Sequence, residues 1–274
     1  MAADPSTGVR ACVIEALQWL LPYDDKRAFD VFERTMTGHT DLLRLRVTHD
    51  LLYHCHQRLY ERVRPFIEVL LENEDEEARQ VGARLACLVA FHEPDARSLA
   101  EQAITGDAAM RVGAVQVYAR NLEFGEVQAA CEASLRRLLH DPEERVREEV
   151  GKCFLYLRPE HLTNLRPFIQ DFLNSPSLRS GAEYLVQYLK LVAYSDHALV
   201  LEATTRILDE LGEALLDIRT RWAILEGDLV QLLLAVYQYA SSSTMKEQAM
   251  DLFERLLIAG SRSARKALDE WDRS

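Results

Sequence analysis

The sequence predicts an all-α fold, a right-handed α-solenoid of stacked antiparallel helix pairs, and two repeat signals support this prediction. The first is an apolar–arginine pair that follows an acidic or proline-containing turn at five places. The arginines are separated by 69, 32, 36 and 32 residues, and they are Arg10, Arg79, Arg111, Arg147 and Arg179. These separations match one or two periods of about 34 residues, a length typical of helical-hairpin repeats.

The second signal is the tetrapeptide Arg-Pro-Phe-Ile, which occurs at 64–67 and again at 166–169, 102 residues further on. This distance is three periods of about 34 residues. The two copies begin 15 and 13 residues before the next apolar–arginine pair. We therefore expect each unit to contain a helix A, a tight turn and a helix B that opens with the arginine.

Helical spacing of the apolar residues continues along almost the whole chain. Short breaks with turn residues separate the predicted helices, and connections this short make consecutive helices antiparallel neighbours. In order, the breaks fall at Pro22, Gly38, Asn73, Pro94, Gly106, Gly125, Asp141-Pro142, Pro159, Pro176, Ser195 and Gly260. The predicted helices cover residues 8–21, 25–36, 41–57, 59–72, 76–91, 95–104, 108–121, 126–139, 143–156, 161–173, 177–192, 197–211, 213–225, 228–240, 244–259 and 262–272.

The repeats are regular over residues 1–195 and lose their pattern over residues 196–274. The unit after the first arginine is itself degenerate, because neither Arg44 nor Arg46 is followed by a clean apolar series. Terminal units of a repeat array cover its last apolar face with polar residues. We therefore predict degenerate repeats and a C-terminal helical cap in the second stretch.

Composition restricts the kind of partner and the compartment. The formal net charge of −12 disfavours nucleic acid as the main partner, because phosphate binding needs a basic surface. Five isolated cysteines without a Cys-x-x-Cys pair are typical of buried core residues in a reducing cytoplasm. No run of 18 or more apolar residues occurs, so the sequence predicts a cytoplasmic protein that does not span a membrane.

The candidate catalytic and metal-ligating residues do not form a pattern that predicts an enzyme. His49, His54, Cys55 and His56 do not converge on one helical face, as the ligands of a metal site must. A cysteine nucleophile needs a neighbouring base and an electropositive setting, whereas the cysteines here lie among Leu, Ala and Phe residues. No Gly-x-Ser-x-Gly or His-Glu-x-x-His motif occurs. We expect a non-catalytic protein with no cofactor and no bound metal.

Alignment of the B helices on the five arginines separates core positions from surface positions. Residues one before, three after and six after each arginine are apolar or small, as expected where stacked helices pack closely. They are Val9, Val13 and Ala16; Ala78, Gly82 and Leu85; Met110, Ala114 and Val117; Val146, Val150 and Cys153; and Leu178, Ala182 and Leu185.

Positions five and nine residues after each arginine vary in chemistry from unit to unit and lie on one helical face. We call the charged, polar and aromatic residues at these positions the variable stripe. They are Glu15, Trp19, Arg84, Gln116, Arg120, Lys152, Tyr156, Tyr184 and Tyr188. The stripe is either an ordinary solvated face or a concave surface that binds a partner. Its aromatic members favour the second interpretation, because exposed aromatic residues often mark contact sites.

An acidic turn followed by an apolar–arginine pair, in units of this length, resembles the HEAT repeat. In that family the turn aspartate and the helix-B arginine form a hydrogen-bonded ladder between neighbouring units. The resemblance implies HEAT-like repeats over residues 1–195. It also implies a structural ladder of Asp4 with Arg10, Asp75 with Arg79, Asp107 with Arg111, and Asp141 with Arg147, to which Arg179, preceded by Ser175, is a doubtful addition. The residues alone predict a similar role, in which the aspartate caps a helix and the arginine satisfies buried carbonyl groups.

Two stretches, 79–121 and 249–273, resemble the C-terminal repeat region of bacterial signalling NTPases of the NACHT/STAND type. This resemblance implies a sensor function and, as in many members of that family, defence against phage. The chain lacks the phosphate-binding loop that defines the NTPase, and it opens directly with a B helix. We therefore expect a fragment or a separate partner of such a protein, with the NTPase domain missing at the N-terminus.

Together these observations predict a non-catalytic scaffold or sensor that binds a protein partner of unknown identity through the concave face of its B helices. Two alternatives stay open at this point. One is a structural spacer that holds other domains apart. The other, which the negative charge disfavours, is a nucleic-acid-binding protein.

Overall fold

A computed structural model of the chain describes residue 2 and residues 4–271. All regular secondary structure in these residues is helical, comprising fifteen α-helices and six short 3-10 turns, which confirms the all-α part of the prediction. The α-helices are α1 (Thr7–Leu17), α2 (Asp25–Met36), α3 (Arg46–Cys55), α4 (Tyr60–Leu71), α5 (Glu76–Val89), α6 (Arg97–Thr105), α7 (Ala108–Asn121), α8 (Gln128–Leu138), α9 (Glu144–Gly151), α10 (Leu162–Leu173), α11 (Ser177–Val192), α12 (His197–Leu211), α13 (Leu225–Tyr239), α14 (Ser243–Ala259) and α15 (Arg262–Trp271). The predicted B helices are odd-numbered in this series.

Two predicted helices are each interrupted by a 3-10 turn. The predicted helix 41–57 begins as the turn Thr40–Arg44, after which Leu45 adopts an extended backbone and α3 begins. The predicted helix 143–156 consists of α9 and the 3-10 turn Lys152–Leu155, which continues it directly. Short 3-10 segments are frequent at the ends of α-helices, and apolar spacing alone does not distinguish the two.

The predicted helix 213–225 was wrong. This stretch contains two 3-10 turns, Gly212–Leu215 and Arg221–Ile224, joined by an irregular segment. Gly212 has a positive φ of 46°, a conformation that ends α12 and that favours glycine. Further on, the carboxylate of Asp217 accepts a hydrogen bond of 3.0 Å from the main-chain N–H two residues later, which closes a turn instead of a helix.

The chain divides into two compact units, one up to Tyr118 and one from Ala119 onward. In the first unit, α1 packs against α2 and α3, and α5 packs against α4 and α6. In the second unit the odd-numbered helices lie side by side, since α11 contacts both α9 and α13, and α13 also contacts α15. Among the even-numbered helices, α8 contacts α10 and α12 contacts α14. The predicted change to degenerate repeats at residue 195 lies inside this second unit.

Most of the predicted core positions are inaccessible to solvent. The buried ones are Ala78, Gly82, Leu85, Ala114, Val117, Val146, Val150, Cys153, Leu178, Ala182 and Leu185, and Met110 is half-buried. Their removal from water supplies the hydrophobic free energy that holds each helix to its neighbours.

Helix α1 is the exception, because its three predicted core residues are not buried. Val9 and Ala16 are exposed and Val13 is half-buried. In α5 the corresponding face packs against α4, the helix that precedes it, whereas α1 contacts α2 and α3, which follow it. A different face of α1 is therefore covered. Its buried residues are Arg10, Ile14 and Leu17.

Helices α9 and α11 touch backbone to backbone where Gly151 meets Gly181. A Cβ atom added to Gly151 would lie 2.6 Å from the Cα of Gly181, and one added to Gly181 would lie 2.7 Å from the Cα of Gly151. Gly82 permits a similar approach in the first unit, where an added Cβ would lie 2.8 Å from the Cβ of Leu70 on α4. Gly82 is a predicted close-contact position, whereas Gly151 and Gly181 each lie one residue away from such a position.

We expect Gly181→Ala to lower the free energy of unfolding by about 1–3 kcal/mol, the usual cost of forcing extra atoms into a packed contact. The strain should outweigh the gain of up to about 1 kcal/mol that alanine brings to a helix interior. Gly227→Ala in α13 is the matched control, because an added Cβ there meets only the Ser263 hydroxyl at 3.5 Å. Urea unfolding followed by circular dichroism measures both variants, and equal stabilities would contradict the close contact.

Candidate protein-interaction surface

The first four of the five aligned arginines make the same contact, each at the start of its own helix B. Each guanidinium donates a hydrogen bond, 2.5 to 2.6 Å long, to a main-chain carbonyl oxygen five or six residues earlier. The pairs are Arg10 with Asp4, Arg79 with Asn73, Arg111 with Gly106, and Arg147 with Asp141. The arginine thus satisfies carbonyl groups of the turn that precedes its own helix, which would otherwise lose their hydrogen bonds to water.

The turn aspartates bind main-chain N–H groups. Asp75 caps α5 by accepting a hydrogen bond of 2.9 Å from the N–H of Ala78, and Asp107 caps α7 by accepting one of 3.0 Å from the N–H of Met110. The side-chain carboxylates of Asp4 and Asp141 each accept a 2.9 Å hydrogen bond from the N–H two residues further on. These contacts close the turn and begin the helix.

The pairing that the HEAT resemblance implied differs from the structure in the first two pairs. Arg10 binds the carbonyl oxygen of Asp4 rather than its carboxylate, and Arg79 does not pair with the carboxylate of Asp75. The Nε of Arg79 instead donates a 2.6 Å hydrogen bond to Asp107 at the turn of the following unit. Asp107 accepts this bond through the carboxylate oxygen that does not cap α7, so one side chain serves both contacts.

The surroundings of Asp107, which include Arg79, shift the pKa of its carboxyl group. Partial burial on its own would raise the pKa of Asp107. The hydrogen bond from the N–H of Met110 and the neighbouring Arg79 guanidinium outweigh this effect, so the pKa of Asp107 is lowered. The carboxylate of Asp107 therefore stays charged and joins two successive repeats through Arg79.

Arg179 does not make the turn contact of the other four arginines. Its Nη1 donates a 3.1 Å hydrogen bond to the carbonyl oxygen of Glu210, and its guanidinium lies 4.9 Å from the ring centre of Trp222. At its own turn, Ser175 replaces the aspartate, and the Ser175 hydroxyl accepts a hydrogen bond of 3.2 Å from the N–H of Ser177. The rung that the sequence left doubtful is thus replaced by a different contact.

In the first unit, part of the variable stripe forms a connected row across three successive odd-numbered helices. The Nη1 of Arg84 on α5 donates a 3.3 Å hydrogen bond to Gln116 on α7, and the guanidinium of Arg84 lies 6.0 Å from the ring centre of Tyr53 on α3. All three side chains are half-buried. The Nε of Arg84 is buried and has no hydrogen-bond partner within the described part of the chain. The row of Tyr53, Arg84 and Gln116 therefore contains one hydrogen-bond donor, the Nε–H of Arg84, that is not used.

The α1 members of the stripe are exposed. Glu15 lies on the surface, and Trp19 is 81% exposed, just beyond the last residue of the helix. Tyr23, which the stripe did not include, is 87% exposed on the same connection. Two large aromatic side chains so fully in water form an apolar projection on the first unit.

In the second unit the stripe residues pair with one another and with glutamates. The Nε of Arg120 donates a 3.3 Å hydrogen bond to the hydroxyl of Tyr156, and the guanidinium lies 5.6 Å from the Tyr156 ring centre. Lys152 forms a 2.6 Å ion pair with Glu149.

The hydroxyl of Tyr184 donates a 3.3 Å hydrogen bond to Glu148, a residue of α9. Burial and the nearby carboxylates of Glu183 and Glu148 raise the pKa of Tyr184. The hydroxyl therefore remains a neutral donor at physiological pH. This contact links the stripe residue Tyr184 on α11 to Glu148 on α9.

Tyr188 does not belong to this surface, and its assignment to the stripe was wrong. Its ring is 1% exposed and packs 5.9 Å from the ring of Phe154. Burial raises the pKa of the Tyr188 hydroxyl to about 12. Helix α11 is covered on several sides because it contacts α9, α10, α12 and α13, so position nine points inward in this unit.

Tyr53 is the residue that the sequence alignment missed. It lies nine residues after Arg44, which could have held the register of the degenerate unit, so Tyr53 occupies position nine of that unit. Position five of the same unit is His49, which is 5% exposed and contacts the carbonyl oxygen of Leu43 at 2.6 Å. Burial lowers the pKa of His49. A neutral core histidine replaces the surface residue expected there.

The arrangement is suited to recognition by hydrogen bonding and stacking. The described residues contain no group of three or more His, Cys, Asp or Glu residues placed to hold a metal ion. Burial raises the pKa of the Cys55 and Cys87 thiols to about 12, which keeps them protonated and weakly nucleophilic. The stripe offers guanidinium, amide and phenol groups, which can form hydrogen bonds with a polar partner.

Comparisons with models of protein families, with curated proteins and with solved structures found no match to this chain. The resemblances to HEAT repeats and to NACHT/STAND-type NTPases stay predictions. Over residue 2 and residues 4–271, no helix combines the length and the apolar character needed to cross a bilayer.

We expect Arg79→Met to lower the free energy of unfolding by about 1–3 kcal/mol, because it leaves carbonyl groups and the Asp107 carboxylate without their donor. Arg64→Met removes a guanidinium from an exposed pair with Glu68, one helical turn away, and serves as the control. Exposed pairs of this kind contribute about 0–1 kcal/mol. Urea unfolding compares the two variants. If Arg64→Met proves the more destabilising, Arg79 does not link the units.

The lowered pKa of Asp107 predicts a pH dependence of stability. A carboxylate whose folded pKa lies below its unfolded value of about 3.9 stabilises the native state above that pH, and this contribution disappears as the pH falls through the folded pKa. Asp107→Asn cannot titrate. We therefore expect the stability difference between the wild type and Asp107→Asn to shrink in acid. A difference that stays constant in unfolding experiments from neutral pH to about pH 3 would contradict this assignment.

Proposed function

We propose that this chain is a non-catalytic protein-binding scaffold or sensor that recognises its partner through the variable stripe. The observation that carries the proposal is the row of Tyr53, Arg84 and Gln116, which come from three successive odd-numbered helices. These half-buried side chains restrain one another while part of each still faces solvent. A surface restrained in this way loses little conformational entropy when a partner binds.

We further infer that the helices form a right-handed α-solenoid of HEAT-like repeats. Three observations support this inference: the repeated turn contact of the arginines, the link from Arg79 to Asp107, and the side-by-side packing of odd-numbered helices in the second unit. A solenoid presents its B helices as one extended concave surface for a partner.

The chemistry of the stripe favours a protein over a nucleic acid as the partner. Arginine, tyrosine and tryptophan are the residues that contribute most to protein interfaces, and all three occur in the stripe. Lys152 is paired with Glu149, and Arg120 lies against Tyr156, so neither presents an isolated positive charge. Phosphate binding would need such charges on a basic surface, whereas the chain carries a net charge of −12.

The resemblance of residues 79–121 and 249–273 to NACHT/STAND-type proteins supports a narrower proposal. In it, this chain is the sensor or scaffold part, or a separate partner, of a bacterial signalling NTPase that acts in antiphage defence. A phosphate-binding loop encoded next to this reading frame or in the same transcript would support that placement.

A structural spacer is the competing function, and the link from Arg79 to Asp107 favours it, since such contacts stiffen a stack of helices. A spacer has to keep its length and needs no particular stripe. Charge reversal on the stripe would then be silent, whereas removal of a whole repeat would abolish the function.

The test is a triple variant, Arg84→Glu, Arg120→Glu and Lys152→Glu, compared with a control triple on even-numbered helices. The control is Arg27→Glu, Arg97→Glu and Arg206→Glu, all exposed residues of α2, α6 and α12. Both variants change the net charge equally. Tagged proteins are purified from the native cell, and proteins that copurify are quantified by mass spectrometry.

We expect at least one protein to be retained by the wild type and the control but reduced by about tenfold or more in the stripe variant, a loss of roughly 1.4 kcal/mol of binding free energy. Circular dichroism verifies that both variants fold. Equal recovery of all partners by folded stripe and control variants would remove the proposed binding surface and leave the spacer.

A further inference from the structure

A segment of the second unit lies across the helices that carry the stripe. Residues 212–224, which we call the strap, connect α12 to α13 and contain the two 3-10 turns of this region. Leu215 is fully buried and anchors the strap, whereas Ile218 and Ile224 are 72% and 75% exposed. The strap therefore has one apolar anchor and otherwise lies on the surface.

Arg221 of the strap contacts two odd-numbered helices that lie earlier in the chain. Its Nη2 donates a 3.0 Å hydrogen bond to the carbonyl oxygen of Ser180 on α11. The same guanidinium lies 3.3 Å from a carboxylate oxygen of Glu148 and 3.5 Å from one of Glu144, both on α9. One side chain thus joins α9 and α11.

The neighbouring Trp222 completes this contact. Its indole Nε1 donates a 3.1 Å hydrogen bond to the carbonyl oxygen of Arg179. The guanidinium groups of Arg179 and Arg221 lie 4.9 Å and 5.2 Å from the centre of its ring. Cation–π contacts of this kind are weak where the groups are exposed to solvent.

Arg221 and Trp222 contact α9 and α11 through the ion pairs and hydrogen bonds that also hold a bound peptide on a protein surface. The Arg221 guanidinium meets two glutamates of α9, and Arg221 and Trp222 each donate a hydrogen bond to a main-chain carbonyl oxygen in the first turn of α11. The site also overlaps the stripe, because Glu148 accepts the hydrogen bond of Tyr184. The surface under the strap therefore already binds one arginine–aromatic sequence, and its chemistry suits another.

The strap is held weakly enough to be displaced. The side chains of Arg221, Glu148 and Glu144 are each about a third or more exposed, and exposed ion pairs contribute little to stability. Salt screens such pairs further. A partner segment with the same groups can replace these contacts without exposing a large apolar area.

We propose that the surface formed by Glu144, Glu148 and the carbonyl groups of Arg179 and Ser180 is a docking site for a partner segment that presents an arginine beside an aromatic residue, and that the strap occupies this site in cis. The inference rests on the proposed function, since it assumes a protein partner. The inference adds the chemistry of the partner segment, and it identifies the strap as a competitor within the same chain. Charge complementarity supports it, because the site presents two glutamates to a cationic segment.

The test uses a fluorescent peptide with the sequence of residues 216–226, whose binding to the full chain is measured by fluorescence anisotropy. In the strap variant, Arg221→Ala and Trp222→Ala are combined so that the site is vacated. We expect this variant to bind the peptide about tenfold or more tightly than the wild type, because a competitor in cis lowers the accessible fraction of the site. Adding Glu144→Lys and Glu148→Lys should abolish that gain.

Two controls make the result specific. A peptide with Glu at position 221 and Ala at position 222 should not bind the strap variant. Amide hydrogen exchange of the wild type gives a second readout that requires no substitution: the unlabelled peptide should accelerate exchange in residues 212–224 but not in α10.

Equal peptide affinities of the wild type and a folded strap variant would overturn the docking site, as would binding that is insensitive to the two glutamates. If the strap variant fails to fold, unchanged exchange in residues 212–224 of the wild type overturns it. These results leave partner capture by the Arg84, Arg120 and Lys152 stripe untouched. If the folded stripe and control variants recover all partners equally while the peptide still binds, that result counts against the proposed function alone.

Discussion

The main-chain carbonyl groups at the turns before α1, α5, α7 and α9 are the constraint on which the repeat depends. They lie where the chain reverses, the helix that follows supplies no N–H donor to them, and a buried carbonyl without a donor costs about 1–3 kcal/mol. The arginine that opens the B helix reaches back and supplies the donor, while the aspartate caps the same helix. Two side chains therefore specify the turn and the start of the helix. This explains why the acidic turn and the apolar–arginine pair recur although most other positions vary.

This constraint also explains what the sequence could predict. The period, the helical class and most of the core positions follow from local rules: a cap, a donor for the turn and apolar spacing. Gly82 is one example, since a small residue at position three lies where two helices approach closely. The stripe residues Arg84 and Gln116 also lie together, because their positions repeat with the same register.

What the sequence could not predict depends on contacts between distant segments. Tyr188 has the same register as Tyr156, yet the helices around α11 cover it. The irregular stretch after Gly212 has helical apolar spacing, but a positive φ at that glycine directs the chain across α9 and α11 instead. Arg221 contacts Glu148, 73 residues earlier in the chain, and local sequence spacing cannot predict a contact over that separation.

The contact between Gly151 and Gly181 has a mechanical consequence. Two helices that touch through their backbones at one point can rotate about it, but they cannot slide, because a step in either direction brings a side chain into the gap. The glycine pair therefore fixes the register of α9 against α11 and leaves the crossing angle as the one adjustable element of their packing.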